Sequence, residues 1–213
     1  MASLVEIVRE GYFPKEAPYP FNTRVFASQI CSPVSPLPAW FQKGLPSTQA
    51  TLATKFNYCQ SGKLRRCLTF LNPIPFFNLA NVVSSNWSSL FTLASSSPFS
   101  ITKPSSVPTG NRAIAPINTW SSKPQIRVDR HIGSRYLLKA DVARFYHSIY
   151  THSIAWAIHT KPVAKQNHRH SLIGNKIDSL FQKCQDGQTM GIPVGTDISL
   201  LTAEIILSAV DLE

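Results

Sequence analysis

RYLLKADVARFYHSIY, residues 135–150, is the stretch on which the fold turns. Side chains on an extended strand repeat every two residues. Leu137, Lys139 and Asp141 therefore share one face, and Tyr136, Leu138 and Ala140 share the other. The pattern predicts a short strand over 135–141 that ends on a carboxylate. Beyond it the period changes. Thr151 or Ser153 offers a cap for a helix through SIAWAIHT. Ile173, Ile177, Leu180, Phe181 and Cys184 then form one helical stripe, and Asp186-Gly187 is a turn signal after it. GQTMGIPVGTDIS, residues 187–199, leads into a run with Ile198, Leu201, Ile205, Ala209 and Leu212 at helical spacing. That run predicts a helix over 198–212, with Asp197 or Ser199 as its cap. Strand, helices, turn and helix in this order predict an α+β fold.

Upstream the composition shifts near residue 125, and fourteen of the sixteen prolines lie before it. SPVSPLPAW and SSSPFSITKPSSVPTG read as loops and extended chain. LTFLNPIPFFNLANVV fits strands or one buried helix equally, because periodicity does not separate them. The expected division is an N-terminal basic region over 1–125 and a second unit over 126–213.

Charge is the most informative bulk property. The net charge is +10, and residues 17–128 contain no Asp or Glu beside ten Lys or Arg. The rest of the chain carries eleven of each sign, so the whole excess sits in one block. An acid-free basic block of this length points to a polyanionic partner, nucleic acid or nucleotide phosphate. A basic, solvated surface without a ligand is the plain alternative. No apolar run reaches the length of a membrane span, and the N-terminus has no signal-peptide pattern. Cys31, Cys59, Cys67 and Cys184 form no C-x-x-C pair, so a reduced, cytoplasmic protein with no membrane association is expected.

Several residues are candidates for chemistry. A carboxylate at a strand end, such as Asp141, is suited to hold Mg²⁺ together with substrate phosphates. A lone Asp there is more often a turn residue. Phe145 and Tyr146 follow at a short, fixed distance. A rigid aromatic at that place excludes a ribose 2′-hydroxyl, or is simply part of the core. Gly187, Gly191 and Gly195 let backbone approach a ligand closely, although the loop is neither a Walker A motif nor a dinucleotide fingerprint. Lys103 and Arg112 flank a turn in TKPSSVPTGNRAI, where two cations suit a triphosphate. The H-R-H at 168–170 lacks the spaced partners of a metal site.

YLLKADVARFYHSIYTHSIAWAIHTK followed by QDGQTMGIPVGTDISLLTAEIIL resembles the reverse transcriptases of prokaryotic antiviral-defence and abortive-infection systems. GYFPKEAPYPF and RRCLTFLNPIPFFNLANVVSSNW are similar to the same family's leader. The resemblance implies a right-hand polymerase, fingers plus partial palm, with a small antiparallel sheet among helices. It implies an RNA-directed DNA polymerase in phage defence, with Mg²⁺ (or Mn²⁺), an RNA template, a DNA or RNA–DNA hybrid product and deoxynucleoside triphosphates. By the same resemblance, Asp141 is the first catalytic, metal-binding aspartate, and the Val142 carbonyl faces a metal. Tyr146 is the aromatic gate for deoxyribonucleotides. Lys103 and Arg112 hold the triphosphate, and Gly191, Pro193 and Gly195 support nucleotide and template. Two departures stand out. Met190 occupies a position where the family commonly has Gln, and the sequence stops at Glu213, before the expected Tyr-x-Asp-Asp hairpin. The expectation is thus an N-terminal fragment, not competent alone. Its rival is a catalytically inactive nucleic-acid-binding or scaffold protein, with a protein partner or as an oligomer.

Overall fold

The computed structural model describes residues 2–17, 22–32, 41, 49–62, 64–105, 112–167 and 171–213. The chain opens on two short helices, α1 (Leu4–Glu10) and α2 (Arg24–Ile30). Ser3 starts α1 with a capping box. Its hydroxyl accepts from the Glu6 amide at 3.3 Å, and the Glu6 carboxylate accepts from the Ser3 amide at 2.8 Å. Two amides left unpaired by the helix are satisfied reciprocally.

An antiparallel hairpin follows, β1 (Thr54–Ser61) and β2 (Leu64–Phe70), with Lys55 opposite Thr69 and Cys59 opposite Arg65. The chain then enters α3 (Pro73–Ser85) and α4 (Trp87–Ala94). LTFLNPIPFFNLANVV is therefore strand up to Phe70 and helix from Pro73. Asn72 makes the switch: its side chain accepts from the Ile74 amide at 3.0 Å, and Pro73 begins the helix. Proline is favoured there, because its missing N–H would have been unpaired anyway.

A minimal second hairpin pairs β3 (Pro104–Ser105) with β4 (Ala115–Pro116). Six helices complete the order: α5 (Ser122–His131), α6 (Phe145–Ser148), α7 (His152–His159), α8 (Lys161–Gln166), α9 (Ile173–Lys183) and α10 (Asp197–Asp211). The fold is mixed α+β, with two small antiparallel two-stranded sheets among the described residues. The helices expected after residue 150 are present within a residue or two. The first 125 residues hold more helix than their Pro- and Ser-rich composition suggests, because α1 to α4 are short and are held by burial of one face.

One apolar cluster joins these elements. Ile7, Phe76, Leu90, Ile154, Phe181 and Ile198, from six different helices, are each at most 1% exposed. The cluster takes residues from both sides of position 125. Tyr12 stacks on Phe76 with ring centroids 4.2 Å apart, and its hydroxyl donates to the Leu71 carbonyl at 2.5 Å.

The strand expected over 135–141 does not form. Residues 136–142 belong to no ladder among the described residues, and their side chains are exposed. Tyr136 is 83% exposed and Leu138 is 91% exposed. Period-two alternation specifies two faces but supplies no hydrogen-bonding neighbour. Among the described strands, β1 and β2 are occupied with each other, as are β3 and β4.

Candidate nucleic-acid interface

Two segments far apart in sequence are laced together. The Gly191 amide donates to the Ile149 carbonyl at 2.7 Å, the Ile192 amide to Tyr146 at 2.8 Å and the Thr151 amide to Thr189 at 2.8 Å. Tyr150 and Met190 form an antiparallel bridge in the same register. The glycines permit this approach. Gly191 has φ of 86°, and a Cβ there would stand 3.3 Å from the His147 carbonyl oxygen. Gly195 has φ of 118°, and its Cβ would lie 2.5 Å from Pro14 Cγ. Positive φ and contact with backbone or proline both call for a residue without a side chain.

The β1–β2 hairpin docks on the same loop. The Thr69 amide donates to the Val194 carbonyl at 3.0 Å, and the Val194 amide donates to Thr69 Oγ1 at 3.3 Å. Two adjoining clefts result. One of about 360 Å³ lies between Lys55, Thr69, Arg144, Gln188, Gly191 and Pro193. The other, of about 260 Å³, lies between Arg65, Arg66, Arg144, Phe145, Tyr146 and Val194. Arg144 and His147 border both.

Cations outnumber acids in the clefts: Lys55 and Arg144 line the first beside Asp186, and Arg65, Arg66 and Arg144 line the second. Arg66 donates to Glu16 at 3.1 Å, whereas Lys55, Arg65 and Arg144 have no acid at ion-pair distance among the described residues. Arg144 has φ of 52° at the start of α6. A left-handed non-glycine residue costs roughly 1–2 kcal/mol, and such strain gathers at functional sites. His147 is held below its ordinary pKa by burial, with Arg144 and Lys55 adding repulsion. It is therefore largely neutral near pH 7. Burial pushes the half-buried Tyr146 phenol upward, so it stays protonated as a donor. Its ring and that of Phe145 meet edge-on at 5.7 Å, and both lean on the core.

Arg112 is engaged elsewhere. Its guanidinium donates to the Phe13 carbonyl at 2.9 Å and to the Gly195 carbonyl at 3.0 Å, and pairs with Asp197. Asp197 is fully buried, accepts from the Ala113 and Ile114 amides at 2.8 and 2.9 Å, and donates its own amide to Gly11 at 2.9 Å. Burial pushes its carboxyl up to about 6, while Arg112 and the two amides pull the other way. Asp197 thus ties three chain segments together and is not the helix cap. That place belongs to Thr196, whose hydroxyl accepts from the Ser199 amide at 3.2 Å.

Of the residues singled out by sequence, Tyr146, Gly191 and Pro193 come together at the clefts, and Gly195 forms the exit of the loop. Lys103 lies half-buried beside β3, its carbonyl accepting from Ile117 at 2.8 Å, and lines neither cleft. The turn between Lys103 and Arg112 at 106–111, the H-R-H at 168–170 and most of SPVSPLPAW (33–40) lie outside the described residues. Asp141 and Val142 stand on the exposed segment 136–142 and line neither cleft. Among the described residues no three His, Cys, Asp or Glu gather where a metal ion could be held. The four cysteines are free thiols.

Sequence reasoning missed Arg144, His147 and Thr69 as parts of the site. The acid-free block did signal Lys55, Arg65 and Arg66, but only as charges. No helix among the described residues is long and apolar enough to cross a membrane. No protein-family model and no curated protein matches the chain.

Proposed function

We propose that the chain is a nucleic-acid- and nucleotide-binding unit of the reverse-transcriptase type, its cationic clefts taking the phosphates of an RNA template, an RNA–DNA hybrid or an incoming deoxynucleotide. The observation that carries this reading is the lacing of the Tyr146 segment to the Gly191–Gly195 loop beneath a basic hairpin. Tyr146, the close-approach backbone at Gly191 and the Lys55, Arg65 and Arg144 cations border the two adjoining clefts. In this reading β1–β2 belongs to the fingers and residues 126–213 to a partial palm of a right-hand polymerase. The biological setting is phage defence.

Phosphate contacts release counterions, so binding should weaken linearly on a logarithmic salt scale. Fluorescence anisotropy with a labelled single-stranded RNA and an RNA–DNA hybrid, at low and high salt, tests this. Substituting Lys55, Arg65 and Arg144 together by Ala should weaken binding. It should also reduce the salt slope by about 0.7–0.9 for each phosphate contact removed. A flat salt response, or a triple variant that binds as the parent does, would refute the assignment.

The absence of an acid cluster among the described residues favours a second reading, binding without polymerisation by these 213 residues. Two-metal chemistry needs several carboxylates around ions roughly 3.5–4 Å apart, and Asp141 alone does not provide that. In primer extension with Mg²⁺ or Mn²⁺, the 213-residue chain and its Asp141→Asn variant should be equally inactive. Asp141-dependent extension by this chain would overturn that second reading. In a longer form that does extend primers, Tyr146→Ala should admit ribonucleotides more readily.

A further inference from the structure

A separate pocket is walled by α7, α8 and α9. It measures about 370 Å³ and shares no lining residue with the basic clefts. Small-molecule sites commonly occupy about 300–1,000 Å³. Its wall is aromatic and cationic, with Tyr150, His152, Trp156, Lys161, Lys165 and Asp178. The Tyr150 ring meets His152 edge-on at 4.7 Å and Trp156 at 5.7 Å. Lys161 Nζ rests over the Trp156 ring, 4.8 Å from its centroid. The ring face is therefore open to a group from solvent, as a core tryptophan's is not.

The imidazole is set in place. His152 Nδ1 and Asp178 Oδ2 are 2.5 Å apart. The carboxylate accepts, so Nδ1 carries the proton and Nε2 is the ring's remaining polar atom. Asp178 is buried and is held on its other oxygen by Gln182 Nε2 at 2.7 Å, which also reaches Thr151 Oγ1 at 3.3 Å. A carboxylate and an amide from one helix thus orient a histidine on another, at the rim of an aromatic pocket with two exposed lysines.

We propose that this pocket binds a nucleoside 5′-phosphate, either a free mononucleotide or the phosphorylated 5′ end of a strand. The base lies on Trp156 in the place now taken by the Lys161 ammonium. The phosphate is gripped by Lys161 and Lys165. Flat bases stack on exposed aromatic faces regardless of identity, and the ammonium that leaves the ring gains a stronger, fully charged partner. The assignment stands on this pocket alone and does not rest on the reading of the basic clefts.

The test is calorimetric titration of the 213-residue chain with AMP, adenosine and inorganic phosphate. Competition by short RNA strands bearing either a 5′-phosphate or a 5′-hydroxyl completes it. AMP should bind at least about tenfold more tightly than adenosine or phosphate, since base and phosphate both contribute. Lys161→Ala/Lys165→Ala and Trp156→Ala should each weaken AMP by about tenfold or more. Both lysines are exposed, so the double variant keeps its fold, and Trp156→Phe retains a stacking face and should bind AMP better than Trp156→Ala. Competition by the 5′-phosphorylated strand alone identifies the strand end as a source; competition by neither strand identifies the free nucleotide. Equal competition by both strands, no AMP binding, or AMP binding that survives loss of both lysines overturns the proposal.

Discussion

Asp197 and Gly195 show how much a single position can carry. Removing the Asp197 carboxylate strands the Arg112 guanidinium and two buried amides at once. Breaking one side of a buried pair typically costs about 3–5 kcal/mol, so Asp197→Ala should lower the unfolding free energy by that much in urea titrations. Asp197→Asn should cost less, because its oxygen still accepts from the Ala113 and Ile114 amides. The same residue makes a pH signature. Its pKa rises from about 3.9 in an unfolded chain to about 6 on folding. The folded state holds the proton more tightly, so this contribution is full below about pH 3.9 and is lost as pH rises through about 6. Stability of the parent relative to Asp197→Asn should therefore fall between about pH 4 and about pH 6.5 and level off above. Gly195→Ala combines a strained backbone of about 1–2 kcal/mol with overpacking against Pro14 of about 1–3 kcal/mol. A loss of about 2–5 kcal/mol in the same assay is expected. Gly195 was legible as a backbone requirement. Asp197 was not, since its spacing suits a helix cap equally well and its partners are more than eighty residues away.

Among the elements, the irregular segment 136–142 makes the sharpest test. Its alternating pattern is sound, yet it pairs with no described strand and leaves Tyr136, Leu137 and Leu138 exposed. Contiguous exposed apolar side chains invite association. Leu138→Lys should change the unfolding free energy by less than about 0.5 kcal/mol, as surface changes do. It should also reduce self-association in sedimentation velocity. A loss above about 1 kcal/mol would mean that Leu138 is packed after all. The helices were far more legible. α7, α9 and α10 follow their apolar stripes closely, because a helix closes its own hydrogen bonds and needs from its surroundings only burial of one face. A strand needs a second backbone, and no local pattern names it.

At the scale of the molecule, a single apolar cluster draws on α1, α3 and α4 as well as α7, α9 and α10. Tyr12 and Phe76 stack across it, and Asp197 fastens residues 11 and 113–114 to the start of α10. Residues 126–213 expressed alone should therefore show no cooperative urea transition by circular dichroism, whereas the whole chain should. A sharp transition in the shorter piece would separate the core in two. The composition break near 125 marks where proline and acid content change. The packing ignores it, because burial depends on which faces meet and not on average composition.

Local chemistry, all of it present in the sequence, determined the helical stripes after residue 150, the Asp186-Gly187 turn, the glycine positions of the loop and the basic character of the first half. Each of these depends on residues within a few positions of one another, or on a simple sum of charge. Tertiary structure alone decided that Tyr146 meets Ile192 and His147 meets Gly191, that Arg144 and the hairpin cations converge, and that Arg112 is bound to Asp197. It also decided that Asp141 joins no group of three metal-ligating side chains among the described residues and that His152 meets Asp178 beside Trp156. These are pairings between distant segments, set by how several apolar faces are buried together, and no spacing within one segment encodes which distant partner will arrive.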